Sequence, residues 1–155
     1  MATCLESLTQ QTLKDIEIVI VDDGSTDNTK LIVERYADSD ARISLVSQEN
    51  LGTSVARNVG LRRSSGEYVL FVDSDDWISP DACESLYDRA CSENIDLLIY
   101  DYCFVYHDKK VFRNCHLPIG ITSGISYLER ALERDKLTLS PCNKLIRREL
   151  AERID

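Results

Sequence analysis

Two short acidic clusters hold most of the residues in this chain whose types and spacing suit chemistry. One is Asp22-Asp23-Gly24-Ser25 and the other is Asp73-Ser74-Asp75-Asp76, 51 residues further on from first Asp to first Asp. Each closes a run rich in apolar and β-branched residues, Ile16 to Val21 and Tyr68 to Val72, that reads as a strand buried on both faces. In open α/β sheets ligands bind beyond the carboxyl ends of the strands, so both clusters are expected on one sheet edge. Five carboxylates there repel one another unless a cation or hydrogen-bond donors compensate.

The alternating Asp73 and Asp75 form a hard-oxygen pair suited to Mg²⁺ or Mn²⁺, which takes one or two protein carboxylates and leaves positions for phosphate oxygens. The plainer reading is a solvated turn with Asp76 or Ser79 capping the next helix. A calcium loop fits at Asp73, Asp75, Ser79, Asp81 and Glu84 but fails where Trp77 and Ile78 stand in place of a ligand and a glycine. Asp22 or Asp23 can accept from a nucleobase N–H or a ribose hydroxyl, with Gly24 allowing a close turn and Ser25 beside it. The plainer reading there is a strand-to-helix turn capped by Ser25 or Thr26. Arg57, in the middle of a helical stretch, can reach a diphosphate or a base edge, although alone it reads as a surface arginine. Trp77 reads as a core or rim residue, and His107 and His116 receive no role.

The elements that must position these groups follow from periodicity. Helices are expected over Thr3 to Leu13, after Ser25-Thr26, over Thr53 to Arg63, after a Ser79 cap with Leu86, Ala90 and Cys91 inward, and over Ser126 to Arg134. A second strand is expected at Ile43 to Val46, a long β-rich stretch from Ile95 to Tyr106, and a hairpin turn at Asp108-Lys109-Lys110 returning to Cys115. Lys144 to Ile154 reads as a short strand or turn running into a helix. Strand–helix alternation followed by a mixed segment implies an α/β fold with a mainly parallel sheet flanked by helices and a β-hairpin/helix C-terminal part.

Composition bounds the function. With 155 residues the chain fits one domain, and 18 Lys plus Arg against 27 Asp plus Glu give a net charge of −9. That charge argues against a nucleic-acid binder and against an electrostatic anchor on anionic lipid. No apolar run approaches a membrane span, and no secretory leader is expected at the start. The six cysteines, Cys4, Cys83, Cys91, Cys103, Cys115 and Cys142, form no C-x-x-C pair, so reduced thiols without metal are expected.

Taken together, the residues resemble the bacterial family-two glycosyltransferases of the GT-A fold, which is Rossmann-related. The resemblance runs in order over nearly the whole chain. It takes in Leu5-Glu6-Ser7-Leu8 with Gln11-Thr12, then Ile18 to Asp27 through Asp22-Asp23-Gly24-Ser25, then Asn50-Leu51-Gly52 with Ala56-Arg57-Asn58-x-Gly60. It continues through Gly66-Glu67-Tyr68 and Phe71 to Trp77, and ends at Asn143-Lys144-Leu145-Ile146-Arg147-Arg148. The resemblance implies a donor-nucleotide site using Asp22, Asp23, Ser25, Arg57 and Asp73. It implies Asp76 on the donor-sugar side and a metal, Mn²⁺ or Mg²⁺, on Asp75 with Asp73. The implied reaction is inverting transfer from a nucleotide diphosphate sugar, a UDP-sugar, to a saccharide or lipid-linked acceptor in cell-surface polysaccharide synthesis. The implied location is cytoplasmic or peripheral at the inner face of the membrane, and a homo-oligomer stays open.

The family's first strand and its downstream Glu-Asp pair have no counterpart in these 155 residues. The resemblance is therefore to the nucleotide-sugar portion of a longer enzyme, with residues 1–78 as the nucleotide-binding half and 79–155 as an incomplete acceptor-side half. No catalytic base is assigned, and the isolated chain is expected to transfer at or near background. Two other classes compete. A phospho-receiver module would make Asp73 the phosphoacceptor, but lacks a use for Asp75, Asp76 and Arg57-Asn58 and a final strand ending in Lys. A non-catalytic nucleotide-sugar-binding remnant is the other. A sugar nucleotidyltransferase is disfavoured because no Gly-rich phosphate loop lies near the start.

Overall fold

A computed structural model describes residues 1–106, 109–113, 120–133 and 140–153. The first half alternates helix and strand: α1 (Ala2–Thr9), β1 (Ile18–Asp23), α2 (Thr29–Ser39), β2 (Ile43–Gln48), α3 (Thr53–Arg63) and β3 (Tyr68–Leu70). The second half runs α4 (Ala82–Ser92), β4 (Leu97–Ile99), β5 (Tyr102–Tyr106), β6 (Lys109–Arg113), α5 (Gly124–Glu133), a 3₁₀ turn (Pro141–Asn143), β7 (Lys144–Arg147) and α6 (Arg148–Glu152).

β1 and β2 pair in parallel, from Ile18 opposite Ile43 to Asp23 opposite Gln48. The crossover through α2 buries Val33 completely, while Ile18 and Ile43 seat the start of both strands in the core. Each such side chain contributes on the order of 1.5–3 kcal/mol when fully buried. β7 enters between β3 and β4 and runs antiparallel to both, so β3 and β4 share a direction. Leu145, buried, is the β7 residue opposite Leu70 on one side and Leu98 on the other. Arg147 at the end of β7 clamps this sheet: it donates to Glu67 at 2.8 Å, Asp96 at 2.9 Å and Asn94 at 2.9 Å, and its guanidinium lies 4.8 Å from the Tyr68 ring centroid.

Gln11 is fully buried and fully employed. Its Nε2 donates to the carbonyls of Ser7 at 2.9 Å and Ser79 at 2.7 Å, and its Oε1 accepts from the Cys83 N–H at 2.9 Å. A buried amide satisfied on both ends fixes geometry, so α1 is locked to the segment that follows the second acidic cluster.

Several local expectations shift. The long stretch from Ile95 to Tyr106 divides into β4, which pairs with β7, and β5, which pairs with β6. The β5–β6 hairpin is present, with Tyr102 opposite Arg113, but Lys109 and Lys110 belong to β6 and not to the turn, while Asp108 and Cys115 lie outside the described residues. Helix α2 starts at Thr29 after Asn28, not directly after Ser25-Thr26. The Ser25 N–H is instead spent on the Asp22 carboxylate at 3.1 Å. Helix α4 is preceded by Asp81 rather than capped by Ser79, whose carbonyl accepts from both Ala82 and Gln11. Cys91 is exposed, while Ala90 takes the buried position. The five described cysteines are free thiols.

Candidate functional site

The β1 end is built around a turn that only glycine fits. Gly24 has φ +72°, and a Cβ there would lie 2.7 Å from the Asn50 nitrogen. This close approach brings the Asn50-Leu51-Gly52 turn against the end of β1. Asp23 then ties the two together. Its Oδ1 accepts from Gln48 Nε2 at 2.7 Å and the Leu51 N–H at 2.9 Å, and its Oδ2 accepts from the Gly52 N–H at 2.8 Å. The Leu51 and Gln48 bonds lead in holding the Asp23 carboxyl below its ordinary value, against the opposing pull of burial. Asp22 is buried, facing the Ser25 N–H, and Ser25 is exposed.

Gly52, at φ +91°, is the N-cap of α3. Arg57 stands five residues on, about 7.5 Å along the helix axis at the α-helical rise. From there its Nη2 donates to Asp73 Oδ1 at 2.8 Å. Helix α3 thus bridges the two acidic clusters: Asp23 holds its first residue and its Arg57 holds Asp73. Burial acts to raise the Asp73 carboxyl, but hydrogen bonds from Arg57 and then Cys142 outweigh it and keep the group below its ordinary range. The same bond to Asp73 raises the Arg57 guanidinium.

Asp76 shows the opposite balance. Burial first, then the Asp75 and Asp73 carboxylates, push it up. Its N–H closes the turn onto the Asp73 carbonyl at 3.0 Å. Asp75 is exposed, and so is Trp77, which at 52% accessibility is a rim residue rather than a core one. Trp77 lines a shallow cavity of about 250 Å³ with Glu6 and Ser7 of α1 and Gln10 just beyond it.

Among the described residues no three acidic, histidine or cysteine side chains converge as a ready-made cation cage. A Mg²⁺- or Mn²⁺-type site needs only one or two carboxylates when a diphosphate supplies further oxygens. The exposed Asp75, beside an Asp76 carboxyl raised by burial and then by Asp75 and Asp73, fits that minimal set. Asp73 already carries Arg57 on Oδ1 and fits only as a secondary oxygen.

The structure therefore links Asp23, Arg57 and Asp73 through α3, keeps Asp22 and Ser25 bonded to each other at the β1 end, and sets Asp75 and Asp76 just past Asp73. Two thiols here went unread in the sequence. Cys4 Sγ lies 3.6 Å from the Asp73 carbonyl, and Cys142 Sγ lies 3.8 Å from Arg57 Nη2. Their spacing carries no ligand pattern; only the adjacency of Cys142 to Asn143-Lys144 could have drawn notice.

This α/β domain, with two acidic clusters bridged by a helix that carries an arginine, is similar in fold to S. aureus TarS 1-349, with TM-score 0.77 and 29% identity over 99% of this chain and 44% of that one. The sequence profile of Glycosyl transferase family 2 matches residues 1–155, and the chain belongs to that family. It is 48% identical over 99 residues to glycosyltransferase GlyA of Streptococcus pneumoniae, covering 64% of this chain and 14% of that protein. It is 38% identical over 114 residues to the cholesterol galactosyltransferase of Borreliella burgdorferi, covering 74% and 32% respectively. Among solved structures it is similar to S. aureus TarS 1-349 in complex with UDP-GlcNAc, with TM-score 0.76 and 29% identity over 99% of this chain and 43% of that one. The chain thus spans less than half of each of these proteins. Membership of this family places it with transferases and not with phospho-receivers.

Proposed function

We propose that this domain binds a UDP-sugar at the α3-bridged acidic edge and supplies the donor half of an inverting glycosyl transfer. The observation that carries this reading is the continuous path Asp23–Gly52–α3–Arg57–Asp73, which ties the end of β1 to the acidic segment that follows β3. The UDP-GlcNAc bound by the similar TarS supports the uridine donor. In this reading Asp22 and Asp23, with Ser25 beside them, serve the base and ribose. Arg57 and Asp73 orient the nucleotide, and Asp76 faces the donor sugar.

A Mn²⁺ or Mg²⁺ ion, held by Asp75 with Asp73 as secondary oxygen, would neutralise charge on the leaving diphosphate. In the transfer the acceptor hydroxyl oxygen bonds the anomeric carbon, the bond to the diphosphate oxygen breaks, UDP leaves, and the hydroxyl proton passes to a base. The acceptor is read as a saccharide or lipid-linked saccharide of a cell-surface polymer, on the cytoplasmic side. Among the described residues no helix is long and apolar enough to cross a membrane. The domain halves are read as 1–78 for the nucleotide and 79–155 toward the acceptor.

Equilibrium dialysis with radiolabelled UDP-GlcNAc, UDP-galactose and GDP-mannose tests this. Retention of the uridine nucleotides with Mn²⁺, reduced by EDTA, is expected. Retention unchanged by EDTA would remove the metal, and no retention of any nucleotide would remove the donor site.

A further inference from the structure

The Arg57–Asp73 pair has a third member. Arg57 Nη2, 2.8 Å from Asp73 Oδ1, also lies 3.8 Å from Cys142 Sγ. The guanidinium nitrogen that holds the carboxylate is thus also held by the sulfur, a weak but directional acceptor.

The sulfur is held in place and does not merely fill a gap. The Cys142 carbonyl accepts from the Tyr100 hydroxyl at 2.8 Å, and its N–H donates to Ser140 Oγ at 3.2 Å. The next residue, Asn143, is buried, and its carbonyl accepts from the Tyr100 N–H at 3.1 Å. The 3₁₀ turn that carries Cys142 is thereby fixed to β4 and leads directly into β7. On the opposite side of Asp73, Cys4 Sγ reaches its backbone carbonyl at 3.6 Å. Asp73 is therefore restrained at its main chain from α1 and at its side chain by Arg57, which the 3₁₀ turn holds through the Cys142 sulfur.

We propose that Cys142 is a positioning residue of the donor site, whose thiol fixes the relative orientation of Arg57 and Asp73 from a segment 85 residues beyond Arg57. The proposal rests on the donor-site reading above and assigns to the Asn143-Lys144 segment a direct role in it. A side chain at position 142 that cannot hydrogen-bond removes the sulfur partner of Arg57 and lets the Arg57–Asp73 pair rotate. The cost falls on nucleotide affinity, because the pair must reorganise when the nucleotide arrives.

The test is UDP titration by calorimetry in Mn²⁺ with the unsubstituted chain, Cys142→Val, Cys142→Ala and Cys142→Ser, each shown to fold by a cooperative melt. Valine matches the thiol in bulk without its hydrogen bonds, alanine covers the case in which valine fails to fold, and serine keeps both donor and acceptor. The thiol-free variant should bind UDP about three- to tenfold more weakly than the unsubstituted chain, with serine recovering most of the loss. Valine or alanine binding within twofold of the unsubstituted chain would overturn the role of the thiol, as would serine binding no better than they do. Failure of the unsubstituted chain to bind UDP would overturn the donor-site reading and this role with it.

Discussion

Gly52 and Arg57 sit one and a half turns apart on the start of α3, yet each is bonded to a different acidic cluster: the Gly52 N–H to Asp23 Oδ2 at 2.8 Å, and Arg57 Nη2 to Asp73 Oδ1 at 2.8 Å. A single rigid helix turn thus sets the distance between two strand ends. Displacement of either end of this bridge reaches the other.

Arg57→Ala leaves the Asp73 carboxylate without its charged partner beside Asp75 and Asp76. Hydrogen bonds to charged groups are worth about 1.5–3 kcal/mol, so UDP affinity should fall roughly 10- to 100-fold. Calorimetry measures the affinity, and titration of Asp73 by carboxyl NMR should show its pKa rising toward the ordinary value.

Asp23→Ala removes the acceptor of three hydrogen bonds that close the Leu51-Gly52 turn. Amide hydrogen exchange at Leu51 and Gly52 should accelerate about tenfold or more, with β2 protection largely kept. Unchanged exchange at both amides would show that the turn is held by other contacts.

Gly24→Ala places a side chain at φ +72° and 2.7 Å from a backbone nitrogen. Left-handed backbone at a non-glycine residue costs about 1–3 kcal/mol, and the clash adds to it. For a domain of this size thermal unfolding should shift down by roughly 2–4 °C per kcal/mol.

The acidic and glycine motifs were legible because their chemistry is local: a strand end, a turn and an alternating carboxylate pair can be read within a few residues. So were the bounds of α3 and the presence of the hairpin, although Val55 of α3 and Tyr102, Phe104 and Val111 of the hairpin are exposed. The insertion of β7 between β3 and β4 was not legible, since pairing across 75 or more residues to β3 and 45 or more to β4 leaves no periodic trace. Nor was the division of labour between Asp22 and Asp23. Both are the same residue type at the same strand end, and only the packed turn shows Asp23 committed to Leu51 and Gly52 while Asp22 faces Ser25. The caps at Ser79 and Ser25 were misread because α4 and α2 begin later, after Asp81 and Asn28, and the serines lie in the turns ahead of them. Cys142 escaped notice because a lone thiol acquires meaning only from neighbours distant in sequence.

Acid stability has a defined sign at Asp40. Arg42 grips it with both Nε, at 3.0 Å, and Nη2, at 2.6 Å, and first this pair and then the Arg42 N–H bond lower its pKa from 3.8 to about 2. A depressed carboxylate stabilises the fold above its unfolded pKa and loses that contribution as pH falls through the folded one. The melting temperature should therefore fall between about pH 4 and pH 2 more steeply for the unsubstituted chain than for Asp40→Asn. Parallel profiles would remove the pair from the acid response.

The central claim is that the α3-bridged edge binds a uridine nucleotide. Calorimetric titration of UDP into the 155-residue chain in Mn²⁺, beside Arg57→Ala and Asp75→Ala, tests it most directly. The account predicts one site per chain, at least about tenfold weaker in both variants. An affinity that neither substitution changes, or no binding by the unsubstituted chain, would contradict it.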